Sequence, residues 1–241
     1  MTTVLLIRHG RTSANTAGVL AGRSSGVVLD DVGHRQVAEA AARIAAVPVK
    51  AIVTSPLRRC RQTAQALGAE RGDASPILVE QGLVECGYGE WTGKSLHELS
   101  KEKLWGAVQQ QPSAVRFPGG ESMVEMASRA VGAIRGWDAK LGAEHGGDAV
   151  WVAVSHGDPI KAILADALGM HLDSFQRIVV DPAAISIVRY TATRPFVITV
   201  NSSTADLGAM FAPRPKSRRR RSATPPDAAV GGGLGSADAA Q

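Results

Sequence analysis

An α/β fold around a parallel sheet is what this sequence predicts, on three observations. The run Thr2-Thr3-Val4-Leu5-Leu6-Ile7 is apolar and β-branched and stops abruptly at Arg8-His9-Gly10. A second apolar run, Ala149-Val150-Trp151-Val152-Ala153-Val154, stops in the same way at Ser155-His156-Gly157. Between and around them, helical patterns alternate with short apolar runs. Uninterrupted apolar strands are those buried on both faces, as in a parallel sheet covered by helices. Ligands of such sheets sit beyond the carboxyl ends of the strands, where Arg8, His9 and His156 would fall. Two central strands would bring the two histidines together across one crevice. A histidine pair with an arginine beside it suits a phosphoryl group.

Each element has a local reason. Residues 17–26 are rich in glycine and polar groups and read as a loop over the end of the first strand. Asp30 and Asp31 precede a helical pattern carrying Val37, Ala41 and Ile44, and an acidic residue there caps free amide groups and suits the helix dipole. Pro48 closes that helix, and Lys50-Ala51-Ile52-Val53-Thr54-Ser55 gives a second strand. Pro56 then starts a helix in which Arg58, Arg59 and Arg61 point in different directions, so at most two can serve one pocket. Arg58 and Arg61 are read as solvated surface.

Pro76 to Val79 is a minor strand. Residues 83–93 form an irregular, glycine-dense segment with Glu85, Tyr88, Glu90 and Trp91, the composition of an active-site loop. A helix starts at Ser95, and Gln109 to Pro112 reads as polar linker. A long helix follows Pro118-Gly119-Gly120-Glu121-Ser122 and runs to about Leu141. Its stripe of Met123, Met126, Ala130, Ile134 and Trp137 is core packing at helical spacing. After the second His-Gly strand, an apolar helix from Pro159 ends at Gly169. Residues 184–190 and 196–200 form a closing hairpin of strands.

Composition narrows the class. No apolar run approaches the ~18–20 residues of a membrane span, and no signal-peptide layout opens the chain, so a cytoplasmic protein is expected. Cys60 and Cys86 make neither a metal-ligand spacing nor a disulfide framework. Most of the net charge of +5 resides in residues 213–241, whose six basic and two acidic residues carry +4 and leave +1 for residues 1–212. That basic, Pro/Gly/Ala-rich tail cannot bury enough to offset its ordering entropy and is expected to be disordered. The run Arg218 to Arg221 could touch nucleic acid, but a plain solvated tail is the preferred reading.

Phosphoryl transfer needs a nucleophile, cationic donors for the equatorial oxygens and a proton for the leaving oxygen. His9 can be the nucleophile, since neutral imidazole attacks phosphorus near pH 7 and its adduct can be hydrolysed. Arg8 and Arg59 offer planar forks matched to phosphate oxygens. Asn15 can donate its amide hydrogens, a protonated His156 can stabilise the transferring group, and Gly157 adds a backbone amide. Glu85, partly desolvated beside Tyr88 and Trp91, can have a raised pKa and protonate the leaving oxygen. Glu90 and Glu121 remain rivals for that part. His34, His97, His145 and His171 are read as structural or surface residues.

These residues carry a resemblance. Arg8-His9-Gly10-x-Thr12-x-x-Asn15, Ser55-x-Leu57-x-Arg59 closing at Thr63, Leu83-x-Glu85-x-x-Tyr88-Gly89, Pro118-Gly119-Gly120-Glu121-Ser122 and Ser155-His156-Gly157 occur in the order found in the histidine phosphatase superfamily. The chain resembles its phosphoglycerate mutase-like branch over roughly residues 3–200. The resemblance implies a three-layer α/β/α sandwich with a mostly parallel sheet, in a catalytic domain of residues 1–212. It implies His9 as phosphohistidine nucleophile, Glu85 as proton donor, and Arg8, Asn15, Arg59 and His156 as the phosphate pocket. Gly22 and Gly157 complete the expected substrate-binding set. No metal or organic cofactor is implied, and the partner is a small phosphorylated molecule.

Two departures bear on substrate choice. Arg11 stands where the family commonly has Glu or Gln, which would put an extra cation at the pocket rim. The segment from Glu85 to Pro118 is short, whereas cofactor-dependent mutases resemble one another in a longer, basic insertion there. A phosphomonoester hydrolase is therefore favoured over a phosphomutase. Two other readings stay open: metal-assisted hydrolysis with His9, His156 and a carboxylate as ligands, and a non-catalytic or RNA-associated binding protein acting through the tail. Oligomeric state is not encoded in any readable feature, and a homo-oligomer is compatible with all of it.

Overall fold

A computed structural model describes residues 1–71, 75–204 and 231. Six strands form one sheet: β1 (Thr2–Arg8), β2 (Val49–Thr54), β3 (Ile77–Val79), β4 (Ala149–Ser155), β5 (Ile185–Tyr190) and β6 (Pro195–Ser202). Their spatial order is β3-β2-β4-β1-β5-β6. The pairs β3/β2, β2/β4 and β4/β1 are parallel, and β1/β5 and β5/β6 are antiparallel. The closing hairpin thus extends the sheet at one edge.

Helices cover both faces. Alternate residues of a strand point to opposite sides, so Val4, Leu6, Trp151 and Ala153 pack into one core and Leu5, Ile7, Val152 and Val154 into the other. The first core is closed by α6 (Met123–His145) and α7 (Gly157–Ala167). The second is closed by α2 (Asp31–Ile44) and α3 (Arg58–Arg71). This is the three-layer α/β/α sandwich. A four-residue helix α1 (Ser13–Thr16) follows β1, and α4 (Leu96–Leu99) and α5 (Lys103–Gln110) lie between β3 and α6.

Several boundaries differ from expectation for identifiable reasons. The helix expected from Ser95 stops at Leu99, and α5 begins at Lys103. In α5 only Trp105 and Val108 are buried, too sparse a pattern to announce a helix, and Trp105 stacks on Trp91 at 6.1 Å. The polar linker expected from Gln109 therefore starts inside α5. The helix expected at Pro56 begins two residues later, at Arg58, and α7 begins at Gly157 with Pro159 inside its first turn, where its missing N–H costs nothing. Ser122 caps α6 by accepting from the Glu125 amide, with Glu125 reciprocating.

Register positions the chemistry. Arg8 pairs with Ser155 at the ends of β1 and β4, so His9 and His156 emerge side by side from the two central strands. The disorder expected for residues 213–241 lies outside the described residues, except at Gly231.

Candidate active site

His9 is 4 % exposed and sits at the mouth of a cavity of about 200 Å³ lined also by Asn15, Gly22, Arg59, Glu85 and Tyr88. Its Nδ1 lies 2.8 Å from the carbonyl oxygen of Gly10. A carbonyl only accepts, so the proton is on Nδ1. Nε2 then carries the lone pair, and Arg59 Nε donates to it at 3.2 Å. Burial first, then the charges of Arg59 and Arg8, hold the His9 pKa well below the ordinary value. The ring is a neutral imidazole whose unprotonated nitrogen meets Arg59.

Gly10 makes this geometry possible. A Cβ there would lie 2.6 Å from the carbonyl oxygen of Gly33 and 2.7 Å from Val37 Cγ2, so α2 can pack against the turn only because the side chain is missing. Thr63 ties the turn to α3, accepting from the Gly10 amide and donating to the Arg59 carbonyl oxygen at 2.9 Å.

The ring of His156 meets that of His9 edge-on, with centroids 5.2 Å apart. Ser55 Oγ is 2.7 Å from its Nε2. Burial, with Arg59, His9 and Arg8 in support, keeps His156 well below its ordinary pKa. It is therefore neutral in the free site. His156 caps α7, whose first residue, Gly157, is buried at the positive end of the helix dipole.

The two arginines are anchored by backbone carbonyls. Arg59 donates to Gly22 O through Nη2 at 2.7 Å, and Arg8 donates to Val180 O through Nη1 at 2.8 Å and to Gly231 O through Nη2 at 3.3 Å. Gly22 thus shapes the site through its carbonyl and a φ of +51°, a conformation that favours glycine. Asn15 lines the cavity with its orientation fixed, because its Oδ1 accepts from both the amide and the hydroxyl of Thr12.

Glu85 is 4 % exposed and lines the same cavity. Its Oε1 accepts from the Cys86 amide at 2.8 Å. Burial, then the negative charge of Asp158, push its carboxyl up to about 7. The rivals are placed elsewhere: Glu90 is exposed, and Glu121 is bound to Arg23, Arg129 and the Gly87 amide. Arg11 is likewise not a rim cation, because its Nε pairs with Asp30 Oδ2 at 2.9 Å at the cap of α2. Arg58 and Arg61 are exposed. Cys60 is a buried thiol pushed up to about 12, too high to ionise near neutrality. Sequence reasoning passed over Asp158, which accepts from the Tyr88 hydroxyl at 2.6 Å. Its place two residues beyond His156 was the available signal.

The chain spans about half the length of the first curated relatives it matches. One is a bifunctional protein of Mycobacterium tuberculosis, 33% identical over 197 residues that cover 79% of this chain and 51% of that protein. A glucosyl-3-phosphoglycerate phosphatase of Mycolicibacterium vanbaalenii is 31% identical over 180 residues, covering 71% of this chain and 76% of that one. Among solved structures, the mycobacterial glucosyl-3-phosphoglycerate phosphatase in complex with VO3 superposes with a TM-score of 0.73 at 25% identity, over 83% of this chain and 99% of that one. Bacillus stearothermophilus YhfR has the same fold, with a TM-score of 0.75 at 24% identity over 85% and 98%. The profile of the histidine phosphatase superfamily, branch 1, matches residues 4–203, and the chain belongs to that superfamily.

Proposed function

We propose that this chain hydrolyses phosphomonoesters through a phosphohistidine formed on His9, with residues 1–212 as the catalytic unit. The observation that carries the reading is the tautomer of His9. The Gly10 carbonyl fixes the proton on Nδ1, and the unprotonated Nε2 accepts from Arg59 at the wall of the cavity that both residues line.

In the first step the Nε2 lone pair attacks phosphorus as the P–O bond to the leaving group breaks, and the leaving oxygen takes the Glu85 proton. Arg8, Arg59, the Asn15 amide and the α7 N-terminus at Gly157 meet the equatorial oxygens. His156 is held against His9 and takes on a proton or hydrogen-bond role once phosphoryl charge arrives. In the second step Glu85, now a carboxylate, takes a proton from water as the water oxygen bonds to phosphorus and the P–N bond breaks. Inorganic phosphate and neutral His9 result. That glucosyl-3-phosphoglycerate and phosphoserine phosphatases are among the relatives supports a small phosphorylated substrate.

A phosphomutase could use the same chemistry, and relatives described as phosphoglycerate mutases exist. Beyond Arg59, the described residues at the cavity rim are Gly18, Val19, Leu20, Ala21 and Leu96, which offer no cation for a second anionic end. Hydrolysis is favoured on that ground. His9→Ala is expected to abolish phosphate release. Quenching the wild type with labelled substrate should trap an acid-labile phosphoprotein that the variant lacks. Full turnover in His9→Ala would move the nucleophile elsewhere.

A further inference from the structure

A second buried carboxyl group accompanies Glu85. Asp158 is fully buried in the first turn of α7, two residues after His156. Tyr88, whose hydroxyl reaches Asp158, lines the same cavity as Glu85, so the two carboxyl groups belong to one buried cluster. Two carboxylates in such a cluster do not both ionise without a large penalty, so one keeps a proton, and the donors around each decide which. Asp158 Oδ2 accepts the Tyr88 hydroxyl at 2.6 Å and the Gly231 amide at 3.3 Å. Its Oδ1 lies 4.0 Å from the ammonium of Lys161, a turn further along α7 and 3 % exposed. Lys161 is itself anchored by donating to Gln176 Oε1 at 3.0 Å. An ammonium and a phenol both favour an anion. Among the described residues, the donor to the Glu85 side chain is the backbone amide of Cys86.

We propose that Asp158, kept anionic by Tyr88 and Lys161, is the positioning residue that holds the proton on Glu85 until the leaving oxygen takes it. This rests on Glu85 being the proton donor. The groups that face Glu85 come from four elements. Arg8 at the end of β1 and Arg59 on α3 draw its proton off, as does the Cys86 amide on its own loop, while Asp158 on α7 opposes them. Burial and Asp158 prevail. The same charge serves the return step, because a newly ionised Glu85 beside Asp158 is driven to take a proton from the attacking water.

The test is the pH dependence of kcat/KM for Asp158→Asn, on an alkyl phosphate, which needs leaving-group protonation, and on p-nitrophenyl phosphate, which does not. On the alkyl ester the basic limb should move acidward by roughly one pH unit, so that the loss is about tenfold greater at pH 8 than on the acidic side. On the aryl ester the loss should be nearly independent of pH. A basic limb left unmoved overturns the proposal. Should Asp158→Asn not fold, carbon-13 spectra of wild-type protein labelled at the aspartate and glutamate carboxyl carbons decide the matter. The supporting result is a glutamate signal, absent in Glu85→Gln, that titrates near 7 while the aspartate signals are already ionised. An aspartate retaining its proton in place of that glutamate overturns it. Glu85→Gln assayed alongside separates the two readings: equal losses on both esters would remove Glu85 as donor, whereas a selective loss with an unmoved Asp158→Asn profile removes only Asp158.

Discussion

Replacing Glu85 by Gln should stabilise the fold at alkaline pH while impairing the reaction. The carboxyl ionises at about 7 in the folded protein against an ordinary value of 4.5. A folded-state value above the unfolded one means that the native protein binds the extra proton between those two values. Stability from this group is therefore present below pH 4.5 and is lost as pH rises toward 7. The difference of about 2.5 units corresponds to about 3 kcal/mol of native-state cost once the group is ionised. Gln keeps the shape and an oxygen to accept from the Cys86 amide, but it never carries the charge. The variant's melting temperature should match wild type near pH 4 and exceed it by about 6–12 °C at pH 8, at ~2–4 °C per kcal/mol for a domain of this size. Calorimetry or thermal circular dichroism at the two pH values measures it. A stability difference that does not change with pH would refute the elevated ionisation of Glu85 and, with it, the physical basis for its role as an acid.

Other substitutions probe the rest of the site. Arg59→Lys keeps a charge but cannot donate to both His9 Nε2 and Gly22 O, so kcat/KM should fall by about 10²–10³ with a melting temperature lowered by an unmet buried carbonyl. Gly10→Ala forces a methyl into the Gly33 carbonyl and Val37, and should cost about 1–3 kcal/mol in denaturant unfolding. Prolonged dialysis against EDTA should leave phosphate release unchanged, because Arg8 and Arg59 oppose a cation between the histidines. Activity lost to the chelator and restored by zinc would instead establish metal-assisted hydrolysis. The acidic limb of kcat/KM should lie well below pH 6.5, since His9 must be charged there to lose its nucleophilicity.

What the sequence disclosed, and what it hid, follows from the range of the interactions involved. Buried parallel strands advertise themselves through unbroken apolar runs, so β1, β2 and β4 and the punctuation at His9 and His156 were readable directly. The histidine pairing followed from register, because only adjacent strand ends bring distant residues within 5.2 Å. Charge state was not readable. Burial and the neighbouring guanidinium groups keep His156 neutral in the free site, and both depend on the three-dimensional arrangement. Arg11 misled for a similar reason. A cation next to Arg8-His9-Gly10 in sequence turns to Asp30, a partner 19 residues away. The Asp158-Tyr88 contact spans 70 residues, and neither side chain carries a local pattern that joins them.

The same electrostatics explain why the free site is poised rather than spent. Two neutral imidazoles beside Arg8 and Arg59 leave a site in which the guanidinium charges oppose protonation of either ring. A phosphoryl group brings negative charge, and its arrival raises the proton affinity of both His156 and Glu85. It also meets the guanidinium groups that hold His9 unprotonated before binding. On the proposed mechanism, substrate entry thus strengthens the acid and the transition-state donor at the moment they are needed. Without substrate, the arginines protect the nucleophile from protonation. A pocket rebuilt with carboxylates to neutralise Arg8 and Arg59 would lose this ordering, since the proton affinity of His9 would rise and its lone pair would be more readily occupied before substrate arrives.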